Sequence, residues 1–186
     1  MLILLFPVVP TSGLAELWLL DLKSGEERLL AKDVGQYTWS PDSLQAAYIA
    51  PTAEEGIAGM LHTLNLTTGE SKEVTPVDFL GSDYAPQWLP SGEITFVRDG
   101  EMLKVRPDAS DAVTATGLRF GSWVALEAGK QMYATDPHPP VGIHFSPDGR
   151  RIAYITYNPR RRTIAYQLWL ADADGSNAQL VTDGAS

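Results

Sequence analysis

Short hydrophobic runs separated by turn-forming residues dominate the chain, and the 3.6-residue period of an amphipathic helix is almost absent. Runs such as Ala46–Ile49, Glu93–Val97 and Arg151–Ile155 are bounded by Gly, Pro, Asp and Ser, as strands are. The pattern predicts a protein of β-strands and tight turns. Only Ser122–Met132 has reasonable helical propensity, so any helix is expected there.

A first motif occurs three times, each time directly before one of these runs. Its copies are Tyr37–Asp42, Pro86–Gly92 and Ile143–Gly149. The aromatic anchors Trp39, Trp88 and Phe145 lie 49 and 57 residues apart (88 − 39 and 145 − 88). We expect the two tryptophans to be buried at the foot of their strands. Repetition at this spacing indicates repeated structural units.

A second motif lies between the anchors and combines a strand with a turn that ends in glycine. Its copies are Leu17–Gly25, Leu61–Gly69 and Leu168–Gly175, and a fainter one is Met102–Asp108. Each copy is followed by a further short strand. Two motifs with two strands each predict a four-stranded antiparallel unit, and repetition around an axis lets such units bury their faces on one another.

The turns themselves have a clear physical basis. In Ser-Pro-Asp-Gly, proline presets φ at the second position and glycine supplies the positive φ that closes the turn. Arg98–Glu101 contains Asp-Gly, which predicts a two-residue hairpin turn.

These residues carry a family resemblance. Trp39-Ser-Pro-Asp42 and Phe145-Ser-Pro-Asp-Gly149, with the strands and glycine turns that follow them, resemble the WD40-like (PD40) repeat of the TolB family. The repeat is also similar to the propeller of prolyl-oligopeptidase-type peptidases. Ser43 stands where glycine is usual, and Leu89 replaces serine in the middle copy. The resemblance implies an all-β propeller of four-stranded blades, but a fold of this kind hosts unrelated activities.

Counting strands gives a first blade of three and three blades of four, with the strand nearest the central channel missing from the first. We therefore expect a partial, open arc of about four blades from a propeller of about six to eight. The alternative is a small oligomeric or four-bladed assembly. The predicted divisions are blade 1 at 1–32, blade 2 at 33–76, blade 3 at 77–118, a connection at 119–140 and blade 4 at 141–186.

Composition excludes some classes of function. The chain of 186 residues has a formal charge of −9, the wrong sign for neutralising nucleic-acid phosphates. It has no cysteine, which excludes disulfides and thiol catalysis. Residues 1–9 form an apolar run that fits either a buried strand or a short signal peptide. We expect no membrane-spanning helix and favour a periplasmic or cell-surface location.

Candidate partner-binding residues lie in the loops of variable length, because variable loops on a rigid scaffold often hold binding sites. They are Arg160, Arg161 and Arg162, whose guanidinium groups suit carboxylates or phosphates, His138 with Tyr133 in a proline-rich crossover, and Asp83 in an acidic group. Each also has a plain structural interpretation as a solvated loop or a stiff connection.

Catalytic motifs are absent from the sequence. It contains no Gly-x-Ser-x-Gly, no His-Glu-x-x-His and no Walker loop. We therefore expect no cofactor, no metal site and no enzyme activity in this chain. The favoured function is a non-catalytic scaffold that binds a protein or peptide partner. The alternative is the propeller of a prolyl-oligopeptidase-type peptidase or a polysaccharide lyase.

Overall fold

The computed structural model describes residues 3–8, 15–52, 58–78, 85–119, 123–126, 130–133, 141–158 and 165–182. Within these ranges every regular element is a β-strand. The strands form four antiparallel sheets and one hairpin, and in each sheet the strands follow one another in chain order. The prediction of an all-β fold of four-stranded sheets is confirmed.

The first two sheets contain seven strands. Sheet 1 consists of β1 (Ile3–Val8), β2 (Ala15–Asp21) and β3 (Glu27–Val34). Sheet 2 consists of β4 (Gln36–Trp39), β5 (Gln45–Pro51), β6 (Ala58–Asn65) and β7 (Ser71–Asp78).

The remaining strands form two further sheets and a hairpin. Sheet 3 consists of β8 (Gln87–Trp88), β9 (Ile94–Arg98), β10 (Glu101–Arg106) and β11 (Ala109–Arg119). The hairpin consists of β12 (Trp123–Leu126) and β13 (Lys130–Tyr133). Sheet 4 consists of β14 (Val141–Phe145), β15 (Arg151–Asn158), β16 (Ala165–Asp172) and β17 (Gln179–Thr182).

The hairpin lies in the one segment where the sequence allowed helix. Ser122–Met132 was the segment in which we allowed helix, within a stretch treated as a plain connection, and it contains two paired strands instead. Trp123 and Val124 favour a pleated strand, and cross-strand pairing with β13 outweighs the helical propensity of the alanines and glutamate.

Two compact units divide the chain, Met1–Trp88 and Leu89–Ser186. In the first unit a hydrophobic cluster lies between sheets 1 and 2. Its buried members are Leu17, Val34, Ala46, Tyr48, Leu64 and Leu66. In the second unit, buried residues of sheet 3 include Phe96 and Ile94, and those of sheet 4 include Ile152 and Ala171.

The aromatic anchors are less buried than the sequence led us to expect. Trp39, Trp88 and Phe145 are all half-buried rather than buried. Trp39 and Trp88 belong to β4 and β8, which are edge strands of their sheets. An edge strand has a neighbouring strand on one side only, so its side chains keep more contact with solvent.

The Ser-Pro-Asp turns close as predicted. In sheet 2 the Ser40 hydroxyl donates to Asp42 Oδ1 at 2.6 Å, and the Leu44 amide donates to the same oxygen at 3.0 Å. Sheet 4 repeats this geometry: Ser146 donates to Asp148 at 2.6 Å and the Arg150 amide at 3.1 Å. The two-residue turn of sheet 3 is also confirmed, because Asp99 and Gly100 have φ values of 53° and 72°.

Ser43 adopts the positive φ of 61° that Gly149 has at the equivalent position, with 70°. A side chain in this region is strained, so we expect Ser43→Gly to raise the free energy of unfolding by about 0.5–1 kcal/mol. The reciprocal Gly149→Ser should lower it by a similar amount, since nothing closer than Pro90 at 3.8 Å would meet its Cβ. Urea denaturation measures both, and a destabilised Ser43→Gly would contradict the strain assignment.

Candidate interaction surface

The loop residues singled out from the sequence fall almost entirely in undescribed segments. Arg160, Arg161, Arg162, His138 and Asp83 lie outside the described residues. Tyr133 ends β13, where its backbone pairs with Trp123. These candidates therefore stay predictions.

Aspartates of the tight turns serve local structure. The Ser40 hydroxyl and, after it, the Leu44 amide lower the pKa of Asp42, and Ser146 and the Arg150 amide do the same to the pKa of Asp148. A carboxylate that accepts such hydrogen bonds is held ionised and fixed within its turn. Both aspartates therefore help to close their turns.

A stacked pair of rings lies between β5 and β6. His62 stacks on Tyr48 with ring centroids 4.8 Å apart and an interplanar angle of 8°. The Tyr48 hydroxyl lies 2.9 Å from Ser71 Oγ. Burial lowers the pKa of His62, and the nearby Glu73 opposes this more weakly. The ring is therefore held in its neutral form, and it contributes packing rather than charge.

The lowered pKa of His62 makes stability depend on pH. A histidine in an unfolded chain has a pKa of about 6.5. At a higher pH the His62 ring is neutral in both the folded and the unfolded state, and its contribution to stability is fully present. Below that value the unfolded chain takes up the proton first, so we expect the free energy of unfolding to fall as the pH drops.

Urea denaturation at pH 8 and at pH 5.5 checks this expectation. His62→Gln should reduce the loss of stability on acidification, whereas His144→Gln, at an exposed position, is the matched control. Equal losses in His62→Gln and in the unsubstituted chain would refute the role of His62.

The repeats allow the two faces of each sheet to be compared position by position. We call the face of sheet 2 that packs against sheet 1 its upstream face, which carries Ala46, Tyr48 and Leu64. The opposite, downstream face carries six buried side chains, at most 7% exposed: Ala47, Ile49, Leu61, Thr63, Val74 and Thr75.

The downstream face of sheet 4 has nearly the same composition. Equivalent strand positions place there Ala153, Ile155, Leu168, Leu170, Val181 and Thr182. Only Leu170, which stands in place of Thr63, differs from the residue in sheet 2. Even the β-bulge is kept, because Val74 and Val181 are each the extra residue where the register of the last strand shifts.

These two matching faces differ in exposure, because the face of sheet 2 is buried and the face of sheet 4 is largely exposed. Leu170 is 39% exposed and Val181 is 52% exposed, whereas Val74 is 7% exposed. Ile155 and Leu168 are half-buried, whereas their counterparts Ile49 and Leu61 are 4% and 0% exposed. Exposed apolar surface is a candidate for protein interaction, so we call the downstream face of sheet 4 the candidate interaction surface.

Sequence reasoning missed this surface because it looked for function in polar loops. A usable signal was present in the repeated pairs Ala47-x-Ile49 and Ala153-x-Ile155 and in Val-Thr at 74–75 and 181–182. Among the described residues, no group of three or more His, Asp or Glu side chains could hold a metal ion. No helix in the described part is long and apolar enough to span a membrane.

Four-stranded antiparallel sheets in chain order, with a tight turn at the same place in each, define the β-propeller class. Solved structures place the fold near TolB. The chain is similar to a putative TolB from Agrobacterium tumefaciens, with a TM-score of 0.65, 18% identity and coverage of 97% of this chain and 61% of that one. It is also similar to TolB from Acinetobacter baumannii, with a TM-score of 0.61, 17% identity and coverage of 96% and 40%.

An oligogalacturonate lyase in complex with manganese is similar too, with a TM-score of 0.59, 15% identity and coverage of 90% of this chain and 47% of that one. The chain thus spans 61% of the length of the first TolB structure and less of the other two. No family model matches the sequence, and neither does any curated protein. The chain has a TolB-like propeller fold, and at identities this low the similarity shows the fold alone.

Proposed function

We propose that this chain is a non-catalytic, TolB-like propeller scaffold that binds a protein partner through the downstream face of sheet 4. One observation carries the proposal: this face repeats the residues of a buried face of sheet 2, yet Leu170 and Val181 are 39% and 52% exposed. Burying such side chains is worth roughly 1.5–3 kcal/mol each. A flat, apolar sheet face fits another protein surface better than it fits a small polar ligand.

The charge of −9 supports a protein partner over a nucleic acid, because phosphate binding depends on Lys and Arg. The variable loops with Arg160–Arg162, Tyr133, His138 and Asp83 are a second proposed surface for a peptide partner. We also propose that the protein works outside the cytoplasm, in the periplasm or at the cell surface, to which its lack of cysteine is no obstacle.

Site-specific photo-crosslinking tests the proposal. A benzophenone amino acid replaces Leu170 in the chain produced in its own cells, and the matched control carries it at Leu44, which is 58% exposed but lies in a turn. We expect protein adducts from position 170 and not from position 44. The adducts should disappear when Leu168 on the same face is changed to aspartate. Equal labelling from both positions, or no adduct at all, would overturn the proposal.

The second candidate function is the propeller of an enzyme, and the similarity to the oligogalacturonate lyase favours it. Propellers of peptidases are among the similar structures as well. Sequencing the gene beyond both ends of this chain separates the candidates. A hydrolase segment with Gly-x-Ser-x-Gly in the same polypeptide would support the peptidase alternative.

A further inference from the structure

Asn65 ends β6 and begins the turn that leads into β7 of sheet 2. With Leu66 and Thr67 it forms Asn-x-Thr, the triplet that accepts N-linked glycans in exported proteins. The side chains of Asn65 and Thr67, which such a triplet requires, are both exposed, whereas Leu66 between them is 4% exposed. The turn is therefore anchored by its middle residue and presents both required side chains to solvent.

Backbone hydrogen bonds fix the direction of the Asn65 side chain. The amides of Thr67 and Thr68 donate to Asn65 Oδ1 at 2.9 and 3.0 Å. An atom that accepts two N–H groups is the oxygen of the carboxamide, so the nitrogen, Nδ2, faces away from these amides. Within the described residues, neither Asn65 Nδ2 nor the Thr67 hydroxyl makes a hydrogen bond. The nitrogen that a glycan would modify is thus left accessible by the turn.

The equivalent turn of sheet 1 shows that this position does not need asparagine. Asp21 stands in the place of Asn65, and its Oδ1 accepts the amides of Lys23 and Ser24 at 2.7 and 3.3 Å. In both turns the carbonyl oxygen of this residue also accepts the amide four residues further on, at 2.8 Å. A side-chain oxygen is enough to close the turn, so the Nδ2 group of Asn65 has no part in the fold.

We propose that Asn65 is an N-glycosylation site. This goes beyond the proposed partner binding and rests only on the proposed location outside the cytoplasm, since the triplet is used in exported chains. Asn65 Nδ2 would form a bond to C1 of the first sugar of a lipid-linked oligosaccharide diphosphate, and the bond from C1 to the diphosphate would break. The lipid diphosphate leaves, and the amide nitrogen gives up one proton to a base of the transferase. The bulky glycan would keep this turn out of protein interfaces.

Mass spectrometry of the chain purified from the cells that produce it tests the proposal. We expect the peptide that contains Asn65 to carry the added mass of whole sugar residues. An amide-cleaving glycosidase should remove that mass and leave aspartate at position 65. Asn65→Asp should abolish the modification completely and still fold, because Asp21 closes the matched turn in the same way.

Two threonine variants separate glycosylation from turn structure. Thr67→Ala removes the third residue of the triplet and no side-chain hydrogen bond of the described residues, so it should abolish the glycan without disturbing the turn. Thr68→Ala is the matched control. The Thr68 hydroxyl accepts the Glu70 amide at 3.2 Å, so its loss should weaken the turn and leave the glycan in place. Thr67→Ser should also retain the glycan.

An unmodified Asn65 in the exported chain would overturn the inference, and so would a modification that survives Thr67→Ala. Fractionation of the cells keeps this apart from the proposed location, because an unmodified chain inside the cytoplasm would overturn both. Protein adducts from position 170 together with an unmodified Asn65 would overturn the glycan and leave the proposed partner binding standing.

Discussion

Leu64→Ala is expected to lower the free energy of unfolding by about 3–4 kcal/mol. Leu64 is 0% exposed and belongs to the cluster between sheets 1 and 2, together with Leu17, Tyr48 and Leu66. Truncation removes buried methyl groups and leaves a cavity that two hydrogen-bonded sheets cannot collapse to fill. The equivalent position in sheet 4 carries Ala171, so the backbone of β6 tolerates alanine and the loss comes from packing.

Urea denaturation followed by tryptophan fluorescence measures this loss. Leu44→Ala is the matched control, because Leu44 is 58% exposed in the adjacent turn and its truncation should change stability by less than about 0.5 kcal/mol. A loss below about 1 kcal/mol in Leu64→Ala would show that sheets 1 and 2 do not share a well-packed core.

The sequence predicted strands and turns well because both follow from local chemistry. The predicted runs Ala46–Ile49, Glu93–Val97 and Arg151–Ile155 begin within one residue of β5, β9 and β15. Asp99-Gly100 adopts two consecutive positive φ values, which Asp and Gly tolerate better than other residues do. Repetition of the motif also predicted repeated turns, and the same turn does recur at Ser40 and Ser146 with the same hydrogen bonds.

Burial was harder to predict, because it depends on which neighbours a sheet has. Trp39 and Trp88 looked like core residues by type, but their strands lie at sheet edges and leave them half-buried. Val74 and Val181 are each followed by threonine and are each the bulged residue of their strand, yet one is 7% and the other 52% exposed. The shared Val-Thr pattern does not separate them, since the difference in exposure arises from what covers each face.

The hairpin β12–β13 shows a second limit of sequence reasoning. Its residues favour helix and strand about equally, and it matches neither repeated motif. Pairing between Trp123 and Tyr133 decides the outcome, and such pairing is a tertiary effect. The candidate interaction surface was missed for a similar reason, because it consists of ordinary aliphatic residues that only their exposure makes unusual.

The glycine that ends the second motif permits a graded prediction. Gly25 and Gly69 each donate to the carbonyl four residues earlier, whereas Gly175 ends a turn one residue shorter, and the three φ values are similar at 74°, 75° and 86°. An alanine there is strained by roughly 1–2 kcal/mol wherever the turn lies. Around Gly25 a new Cβ would meet nothing within 4 Å, so Gly25→Ala should show this backbone effect alone.

Gly175→Ala should be more destabilising, by roughly 2–4 kcal/mol in total, because its Cβ would lie 2.6 Å from Leu118 Cδ2. Leu118 is 9% exposed, so its side chain has little room to move away. At Gly69 the nearest atom is Arg28 Nη1 at 3.2 Å, the end of a long side chain, and the loss should be intermediate. Urea denaturation of the three variants gives the order directly.

The double variant Gly175→Ala with Leu118→Ala separates backbone strain from the contact with Leu118. If the clash is real, adding Gly175→Ala to Leu118→Ala should lower stability only by the amount found at Gly25. An unchanged extra loss in the double variant would mean that the turn of sheet 4 is strained by its backbone and not by Leu118.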